Sequence, residues 1–283
     1  MKQMQLLLVG VLITLVSWVF AWGKFSPLSQ YSFFPLWLGY ILTINGLTLG
    51  IFKNSLLSKM RLSFIWLFII SIPLWWMFEG LNTVTQNWSY LSPVSPSSLK
   101  YFLGGSLYFS IVVPAVLSTS FLFYLLLLKV KPVNRSPSVI SPLVLVLSFI
   151  LGALFSLLIF IFPQLYFPLL WGGIFLLLEP INYLLGFPSL FKKIETGDWN
   201  LVIAIMAATI FTGFWWELWN FYSYPKWTYH IPQLGFFKIF EMPILGYLGY
   251  PFFGLEIYAF TNFIFGIVKK FLGMVSYVLV VFL

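Results

Sequence analysis

Three long runs of the sequence contain no charged side chain, and this feature limits the folds open to the chain more than any other. Between Lys2 and Lys24 lie 21 uncharged residues, and 28 lie between Lys24 and Lys53. Another 28 separate Lys100 from Lys129. A helix that crosses a bilayer needs about 20 apolar residues. The runs are apolar throughout, whereas the strands of a membrane barrel alternate apolar and polar residues. The sequence therefore predicts an all-α, polytopic membrane helix bundle.

The composition supports this class and removes several kinds of chemistry. Only 8% of the 283 residues are charged, against about 25% in soluble chains. The chain has no cysteine and one histidine, His230, which excludes thiolate catalysis, iron–sulfur clusters and histidine-rich metal centres. The net charge of +8 is spread over short loops and forms no basic face for nucleic acid. We expect no metal, no cofactor and no nucleic-acid partner.

Charged residues and turn residues divide the chain into eight predicted spans. They cover about 4–23, 33–52, 62–81, 101–128, 138–162, 165–190, 200–222 and 238–266. With a cytoplasmic N-terminus, 11 of the 15 Lys and Arg residues fall on the cytoplasmic side, in agreement with the positive-inside rule. We expect an integral protein of a prokaryotic cytoplasmic membrane with both termini in the cytoplasm. The short apolar tail 271–283 has too few residues to span the bilayer.

A repeated motif indicates an internal duplication. Residues 78–82 read Phe-Glu-Gly-Leu-Asn and precede Trp-Ser-Tyr at 88–90. Residues 216–220 read Trp-Glu-Leu-Trp-Asn and precede Trp-Thr-Tyr at 227–229. Both motifs combine an aromatic residue, Glu and Asn with a following Trp-x-Tyr stretch, at the ends of the third and seventh spans.

A second correspondence opens spans two and six, where Phe34-Pro35 precedes Trp37 and Phe167-Pro168 precedes Trp171. Four helices in each copy predict two parallel repeats, 1–130 and 131–270. A pseudo-twofold axis near the membrane normal would relate them. The second repeat holds most of the acidic residues.

Glutamates inside the predicted spans are the candidates for chemistry, because a charged side chain in hydrocarbon costs at least about 2.5 kcal/mol. Glu79 and Glu217 lie near the outer helix ends. Asn82 and Asn220 follow them by three residues, on the same helical face. These pairs are either polar groups of a site or caps that fasten the outer loops. In the second case each Trp-x-Tyr stretch is an interfacial anchor.

Three further glutamates lie in the second half. Glu179 precedes Pro180, which removes a helical hydrogen bond and favours a kink, so this buried acid is a candidate site residue. Lys238 precedes Glu241 by three residues, which allows a local ion pair as the alternative to a catalytic role. Glu256 lies deep in the last span with no base close by in the sequence.

The acids and the aromatic residues favour one kind of reaction. The sequence has no paired aspartate motif, no P-loop and no lysine in the middle of its last spans, which argues against prenyl transfer, nucleotide hydrolysis and retinal binding. Glutamates at membrane depth suit acid chemistry on a polyene. In such a reaction a carboxyl protonates a double bond and aromatic faces stabilise the cation.

The stretch from Trp216-Glu217 through Trp227-Thr228-Tyr229 to Phe240-Glu241-Met242-Pro243 resembles the cofactor-independent membrane lycopene cyclases and the related carotenoid hydratases. Those proteins also duplicate a small helical unit, and their Trp-x-Tyr-like loop precedes a helix that opens on Pro-x-Glu-Glu or a variant. Here Glu241 comes before Pro243, and no acidic pair follows. Bacterial membrane proteins of unassigned activity share the Lys-x-Phe-Glu-Met-Pro pattern. The resemblance implies a carotenoid or other polyprenyl lipid as substrate and a cyclase-like or hydratase-like reaction.

These arguments predict a site in the second half. We expect Glu217, Glu241 and Glu179 to be catalytic. The expected substrate contacts are Asn220, Trp216, Trp219, Trp227, Tyr229, Tyr247, Glu79 and Asn82. Spans three, four, seven and eight should line one cavity toward the outer leaflet, with Trp76 in its wall and Glu179 approaching from span six. Two other functions stay open: a small-solute or proton-coupled transporter, and a non-catalytic lipid-binding protein whose glutamates only fasten loops.

Overall fold

The computed structural model describes residues 3–25, 28–91, 98–231 and 235–272, without the side chains of 271 and 272, and these residues are mostly helical. Eight helical segments among them are long and apolar enough to cross a membrane, which confirms the all-α polytopic bundle. They are Gln3–Gly23, Phe33–Phe52, Leu56–Thr85, Leu99–Val130, Pro142–Ile161, Pro163–Leu185, Asn200–Tyr222 and Ile244–Lys270. Most of the predicted tail 271–283 lies outside the described residues.

The described residues contain thirteen α-helices, of which all but Leu28–Tyr31 and Leu190–Glu195 belong to these segments. The helices are α1 (Gln3–Gly23), α2 (Leu28–Tyr31), α3 (Phe33–Phe52), α4 (Leu56–Met60), α5 (Ile65–Thr85), α6 (Leu99–Phe109), α7 (Val112–Val130), α8 (Pro142–Ile161), α9 (Pro163–Tyr166), α10 (Leu170–Leu185), α11 (Leu190–Glu195), α12 (Asn200–Tyr222) and α13 (Gly249–Leu272). Turns of 3-10 helix cover Arg61–Phe64, Phe167–Leu169 and Ile244–Leu248. The strands are β1 (Trp88–Leu91), β2 (Lys226–Tyr229), β3 (Lys238–Ile239) and β4 (Met242–Pro243).

Helices α7, α12 and α13 form the centre of the bundle. The spans that contain them are more than half buried within the protein, whereas only 22% of the span formed by α1 and 17% of that formed by α8 are buried. Helix α1 packs on α3, and α8 packs on α10. The apolar residues of these outer helices therefore face the lipid, as the uncharged runs of the sequence predict.

The fourth span is broken between α6 and α7, at Ser110 and Ile111. The Ser71 hydroxyl on α5 bridges the break. It donates to the Phe109 carbonyl at 2.5 Å and accepts from the Val113 N–H at 3.1 Å. Backbone groups without partners are costly in a membrane. The side chain thus supplies the partners that a regular helix would have provided.

The eighth span begins later than the sequence predicts. Residues 238–243, expected at its helical start, form an antiparallel hairpin of β3 and β4 around a turn of Phe240 and Glu241. Phe240 has a positive φ of 58°, outside the helical region. Glu241 therefore lies in a loop turn and does not share a helix with Glu256.

The two Trp-x-Tyr stretches pair with one another. Strands β1 and β2 run antiparallel, with Trp88 opposite Tyr229 and Tyr90 opposite Trp227. Exchanging the two stretches leaves this pattern unchanged, so the pairing has local twofold symmetry. A duplication into parallel halves would produce this relation, and the duplication itself stays a prediction. We call the end of the bundle that carries β1 and β2 the sheet end.

The opposite end carries the short helices α4 and α11. We call it the basic end, after Lys53, Lys59, Arg61, Lys129, Lys131, Arg135, Lys192, Lys193, Lys269 and Lys270. The two halves fasten these helices in the same way. Asn45 Oδ1 accepts from the Leu57 N–H at 2.8 Å, and Glu179 Oε1 accepts from the Phe191 N–H at 2.8 Å. In each half the donor follows the acceptor by 12 residues.

Two glycines allow close backbone packing within the outer helix pairs. A Cβ at Gly10 of α1 would lie 2.5 Å from the backbone nitrogen of Thr43, and one at Gly152 of α8 would lie 2.7 Å from that of Leu177. Neither distance leaves room for a side chain. Glycine therefore lets the backbones of α1 and α3, and of α8 and α10, approach each other.

Candidate functional site

A cavity of about 150 Å³ lies between the two halves at the sheet end. Its 26 lining residues include five Trp, four Tyr and four Phe, so half of them are aromatic. They come from the predicted spans three, four, seven and eight, and also from α1, α2, α3, β1, β2, the start of the sixth span and the adjoining loops. Trp75 and Trp216, one from each half, stack with ring centroids 5.4 Å apart in its wall.

Glu217 lies directly behind this wall. Its side chain is fully buried, and Oε1 accepts hydrogen bonds from Tyr229 and Tyr250, each at 2.7 Å. Both tyrosines line the cavity, whereas Glu217 does not. Trp227 Nε1 in turn donates to the Tyr229 hydroxyl at 2.8 Å. The second carboxyl oxygen, Oε2, is buried and makes no hydrogen bond to a described residue.

Glu79 is the counterpart in the first half. Its Oε1 accepts from three donors: Trp75 Nε1 at 2.9 Å, Trp88 Nε1 at 3.1 Å and the Tyr90 hydroxyl at 2.5 Å. These three donors line the cavity, and Glu79 again lies behind them. Both predicted carboxyls are therefore one hydrogen bond away from the cavity.

Asn82 and Asn220 fasten the segments that follow their helices. Asn82 Nδ2 donates to the Trp88 carbonyl at 2.9 Å, and its Oδ1 accepts from the Asn87 and Trp88 N–H groups. Asn220 Nδ2 donates to the Trp227 carbonyl at 2.8 Å, and its Oδ1 accepts from the Trp227 N–H at 2.9 Å. All their side-chain bonds close these loops, as expected for structural caps.

Glu241 forms an ion pair that the sequence interpretation did not include. Its partner is Lys226 of β2 and not Lys238, which is exposed. Lys226 Nζ also donates to the Phe221 carbonyl at 3.0 Å and lines the cavity. The local pair with Lys238 was wrong, because the hairpin turns Glu241 toward β2 instead of continuing a helix.

Glu179 does not approach the cavity. It lies at the basic end, where the Ser189 hydroxyl donates to its Oε1 at 2.6 Å beside the Phe191 N–H. The expected approach from span six was wrong, because the carboxyl turns toward the start of α11.

Glu256 is buried between α13 and α10 and accepts from the Ile174 N–H at 3.2 Å. Pro180 lies inside α10, which continues to Leu185.

The predicted aromatic contacts divide into two groups. Trp216, Trp227 and Tyr229 line the cavity. The others pack elsewhere: Trp219 lies among Trp18, Trp37 and Trp215, Trp76 bonds Ser106, and the Tyr247 hydroxyl donates to the Ile239 carbonyl.

Sequence reasoning missed Trp75, Tyr250 and Asn87. Trp75 could have been found, since it precedes Glu79 by one helical turn. Asn87 directly precedes Trp88 just as Lys226 precedes Trp227 in the second motif, so the spacing of the motif marked its position as well. No sequence signal links Tyr250 to Glu217, which lies 33 residues earlier.

The tyrosines of the sheet keep their protons. Burial raises the pKa of Tyr229 well above its usual value, and the nearby Glu217 carboxyl and their hydrogen bond raise it further. Burial raises the pKa of Tyr90 in the same way, with Glu79 as the nearby carboxyl. Both side chains are therefore neutral hydrogen-bond donors at the cavity.

Comparison of the chain with known protein families, with characterised proteins and with solved structures finds no match. The described residues contain no cluster of three His, Cys, Asp or Glu side chains that could hold a metal ion. The cavity and the carboxyls behind it are therefore the features that bear on function.

Proposed function

We propose that this protein is a membrane enzyme that binds the unsaturated end of a carotenoid or other polyprenyl lipid in the cavity and acts on it by acid chemistry. The observation that carries the proposal is the half-aromatic cavity with a carboxyl one hydrogen bond behind its wall. Aromatic faces attract cations, and an apolar wall fits a hydrocarbon chain.

The size of the cavity limits what it holds. An engineered protein cavity of about 150 Å³ takes up one benzene molecule. A cavity of similar volume fits the terminal isoprene units of a long lipid and not the whole molecule. The remainder of the chain would lie in the bilayer, beside the lipid-facing helices.

The proposed step starts from a protonated Glu217. Once protonated at Oε1, the carboxyl donates to one of the two tyrosines that otherwise donate to it, and the hydroxyl proton of that tyrosine turns into the cavity. The carboxyl proton then passes to the oxygen of Tyr250 or Tyr229 as that tyrosine gives its own hydroxyl proton to a carbon of the double bond. The O–H bond of the tyrosine breaks as a C–H bond forms, and the neighbouring carbon becomes a cation beside Trp75 and Trp216.

Either of two further steps then completes the reaction and returns the proton to the carboxyl. In a cyclase-like reaction a second double bond of the lipid attacks the cation, and loss of a proton from an adjacent carbon restores the acid. In a hydratase-like reaction water adds to the cation, and its excess proton returns to the carboxylate. Neither outcome needs an oxidant, a reductant or a cofactor.

Co-expression with the genes for lycopene synthesis tests the proposal. Chromatography of the pigments should show a new product that is absent from cells with an empty vector. The trial should be repeated with several acyclic carotenoids. Unchanged pigment in all of them would overturn the catalytic proposal.

One observation favours a second function, binding of the lipid without reaction. The carboxyls of Glu79 and Glu217 do not line the cavity, and Asn82 and Asn220 on the same helices serve as loop caps. In this alternative the purified protein retains a lipid, and replacing Glu217 by Gln changes stability without any separate loss of activity.

We also propose that the sheet end faces outward from a prokaryotic cytoplasmic membrane and that both termini are cytoplasmic. The excess of Lys and Arg at the basic end supports this orientation. Single cysteines can be introduced into a chain that has none. Cysteines at Ser89 and Ser223 should react with an impermeant reagent added outside the cell, and a cysteine at Ser136 should not. The opposite pattern would reverse the orientation.

A further inference from the structure

The side chain of Asn87 is the feature of the cavity that neither the fold nor the proposed chemistry uses. Asn87 lines the cavity and is only 3% exposed. Its backbone carbonyl accepts from the His230 N–H at 2.7 Å and its backbone N–H donates to Asn82. Its side-chain Oδ1 and Nδ2 are both buried, and neither makes a hydrogen bond to a described residue.

An amide without partners in such a place is costly. A buried polar group that makes no hydrogen bond loses about 1–3 kcal/mol relative to water. Asn82 shows what a satisfied amide looks like in the same loop, since both ends of its side chain are bonded. The fold therefore gains nothing from the Asn87 amide unless something in the cavity binds it.

The charged side chain among the residues that line the cavity, at the other end of the β1–β2 pair, is already occupied. Lys226, which directly precedes Trp227 as Asn87 precedes Trp88, is paired with Glu241 and bonded to the Phe221 carbonyl. The ammonium therefore needs no anion from a ligand. The amide has one donor group and one acceptor group free, and both are uncharged.

We propose that Asn87 binds a hydroxyl group at the end of the lipid, so that the protein prefers a prenol or a hydroxylated polyene over the corresponding hydrocarbon. A hydroxyl both donates and accepts, and thus satisfies both ends of the amide. This inference rests on the proposed lipid site in the cavity. It adds the chemical class of the lipid: uncharged, mostly hydrocarbon, with a hydroxyl near the end that enters.

A competition experiment separates this inference from the proposed function. The full chain in phosphatidylcholine nanodiscs is incubated with equal, saturating amounts of farnesol and of the triene hydrocarbon that lacks only its hydroxyl. The bound probes are extracted and measured by gas chromatography, and empty nanodiscs correct for partition into lipid. The sum of the bound probes reports the lipid site, and their ratio reports Asn87.

The wild type should prefer farnesol by about ten-fold. Asn87→Leu should reduce the ratio to about one while the sum stays within about two-fold. Asn87→Ser keeps a hydrogen-bonding group and should lie between them, which guards against a folding defect in the leucine variant. Asn134→Leu removes an exposed amide at the basic end, which accepts a hydrogen bond from Asn200 Nδ2 at 3.3 Å and lies far from the cavity; the ratio in this variant should match that of the wild type.

Each result bears on one of the two claims. A wild-type ratio near one, or a ratio that Asn87→Leu leaves unchanged, would overturn the role of Asn87 while the lipid site stands. If the amide binds only water, the wild-type ratio will also be near one, and the proposed role of Asn87 is overturned in the same way. No binding of either probe above empty nanodiscs would overturn the lipid site itself.

Discussion

The two halves place the same glutamate in different surroundings. Glu79 is partly exposed and bonds two indoles and a phenol. Glu217 is fully buried and bonds two phenols, with one carboxyl oxygen free of any described partner. An indole N–H can only donate, so two of the three partners of Glu79 cannot receive a proton from it. The phenols beside Glu217 can both receive and give one.

The asparagines, in contrast, are used alike in both halves. Asn82 and Asn220 each bond the backbone N–H and C=O of the tryptophan in the adjoining strand, Trp88 of β1 and Trp227 of β2. The comparison separates two tasks within one motif. The asparagine holds the loop in both halves, whereas only Glu217 has two phenol partners through which it could transfer a proton.

The largest expected effect is on catalysis by the two glutamates. Glu217→Gln keeps an acceptor for the tyrosines but has no proton to give, and it should lower product formation at least about 100-fold. Glu79→Gln is the matched control and should lower it less than about three-fold. Pigment analysis in the co-expression strain, normalised to protein in the membrane, measures both. Equal losses in the two variants would contradict the division of tasks.

The next effect concerns stability. Asn82→Ala leaves two backbone N–H groups without their side-chain acceptor, and should lower the free energy of unfolding by about 2–3 kcal/mol. Asn220→Ala removes one such acceptor and should cost about 1–2 kcal/mol. Unfolding of the purified protein by detergent titration measures both. If only one of them destabilises the protein, the two caps are not equivalent.

A smaller loss of stability is expected at the basic end. There Glu179 and Asn45 make the same kind of hydrogen bond, since each accepts from a backbone N–H of a short helix. Glu179→Gln keeps the acceptor that bonds Ser189 and the Phe191 N–H, and Asn45 shows that an amide oxygen suffices for this bond. The free energy of unfolding, measured by the same detergent titration, should therefore fall by less than about 1 kcal/mol in the glutamine variant. In Glu179→Ala it should fall by about 2 kcal/mol. A glutamine variant as unstable as the alanine variant would show that Glu179 needs its charge or its proton.

The smallest effect is that of pH on the loop that Glu179 holds. Hydrogen bonds from Lys192 and Tyr183 lower the pKa of Glu195 below its usual value. A carboxyl with a lowered folded-state pKa stabilises the fold above its unfolded pKa, and this contribution is lost as the pH falls through the folded value. Glu195→Gln should be slightly less stable than the wild type at neutral pH and equal to it in strong acid. A constant difference across that range would contradict the assignment.

The sequence predicted the spans well because each of them needs only length and an absence of charge. It predicted the wrong start for the eighth span, since Ile239, Phe240 and Met242 are as apolar as a helix start although they belong to a hairpin. Apolar composition does not distinguish a short interfacial hairpin from the first turns of a membrane helix. The positive φ of Phe240 has no signal in residue type.

The candidate site was predictable only where the repeat marked it. The motif led to Glu79, Glu217 and both asparagines, but it gave no information on which side chains bond the carboxyls across the bundle. Tyr250 reaches Glu217 through the packing of α13 on α12, which is a tertiary contact. Glu179 was misplaced because a carboxyl far along a helix can turn toward the loop that follows, and only the start of α11 decides this.

The central claim is that the cavity between the two halves holds the end of a lipid. Photocrosslinking with a farnesol analogue that carries a diazirine tests it most directly, with peptide mass spectrometry to locate the adducts. The account predicts adducts on Trp75, Trp216 or Phe253, which line the cavity from both halves, and their loss with excess farnesol. Adducts confined to the lipid-facing residues of α1 and α8, such as Leu12 and Leu147, would contradict it.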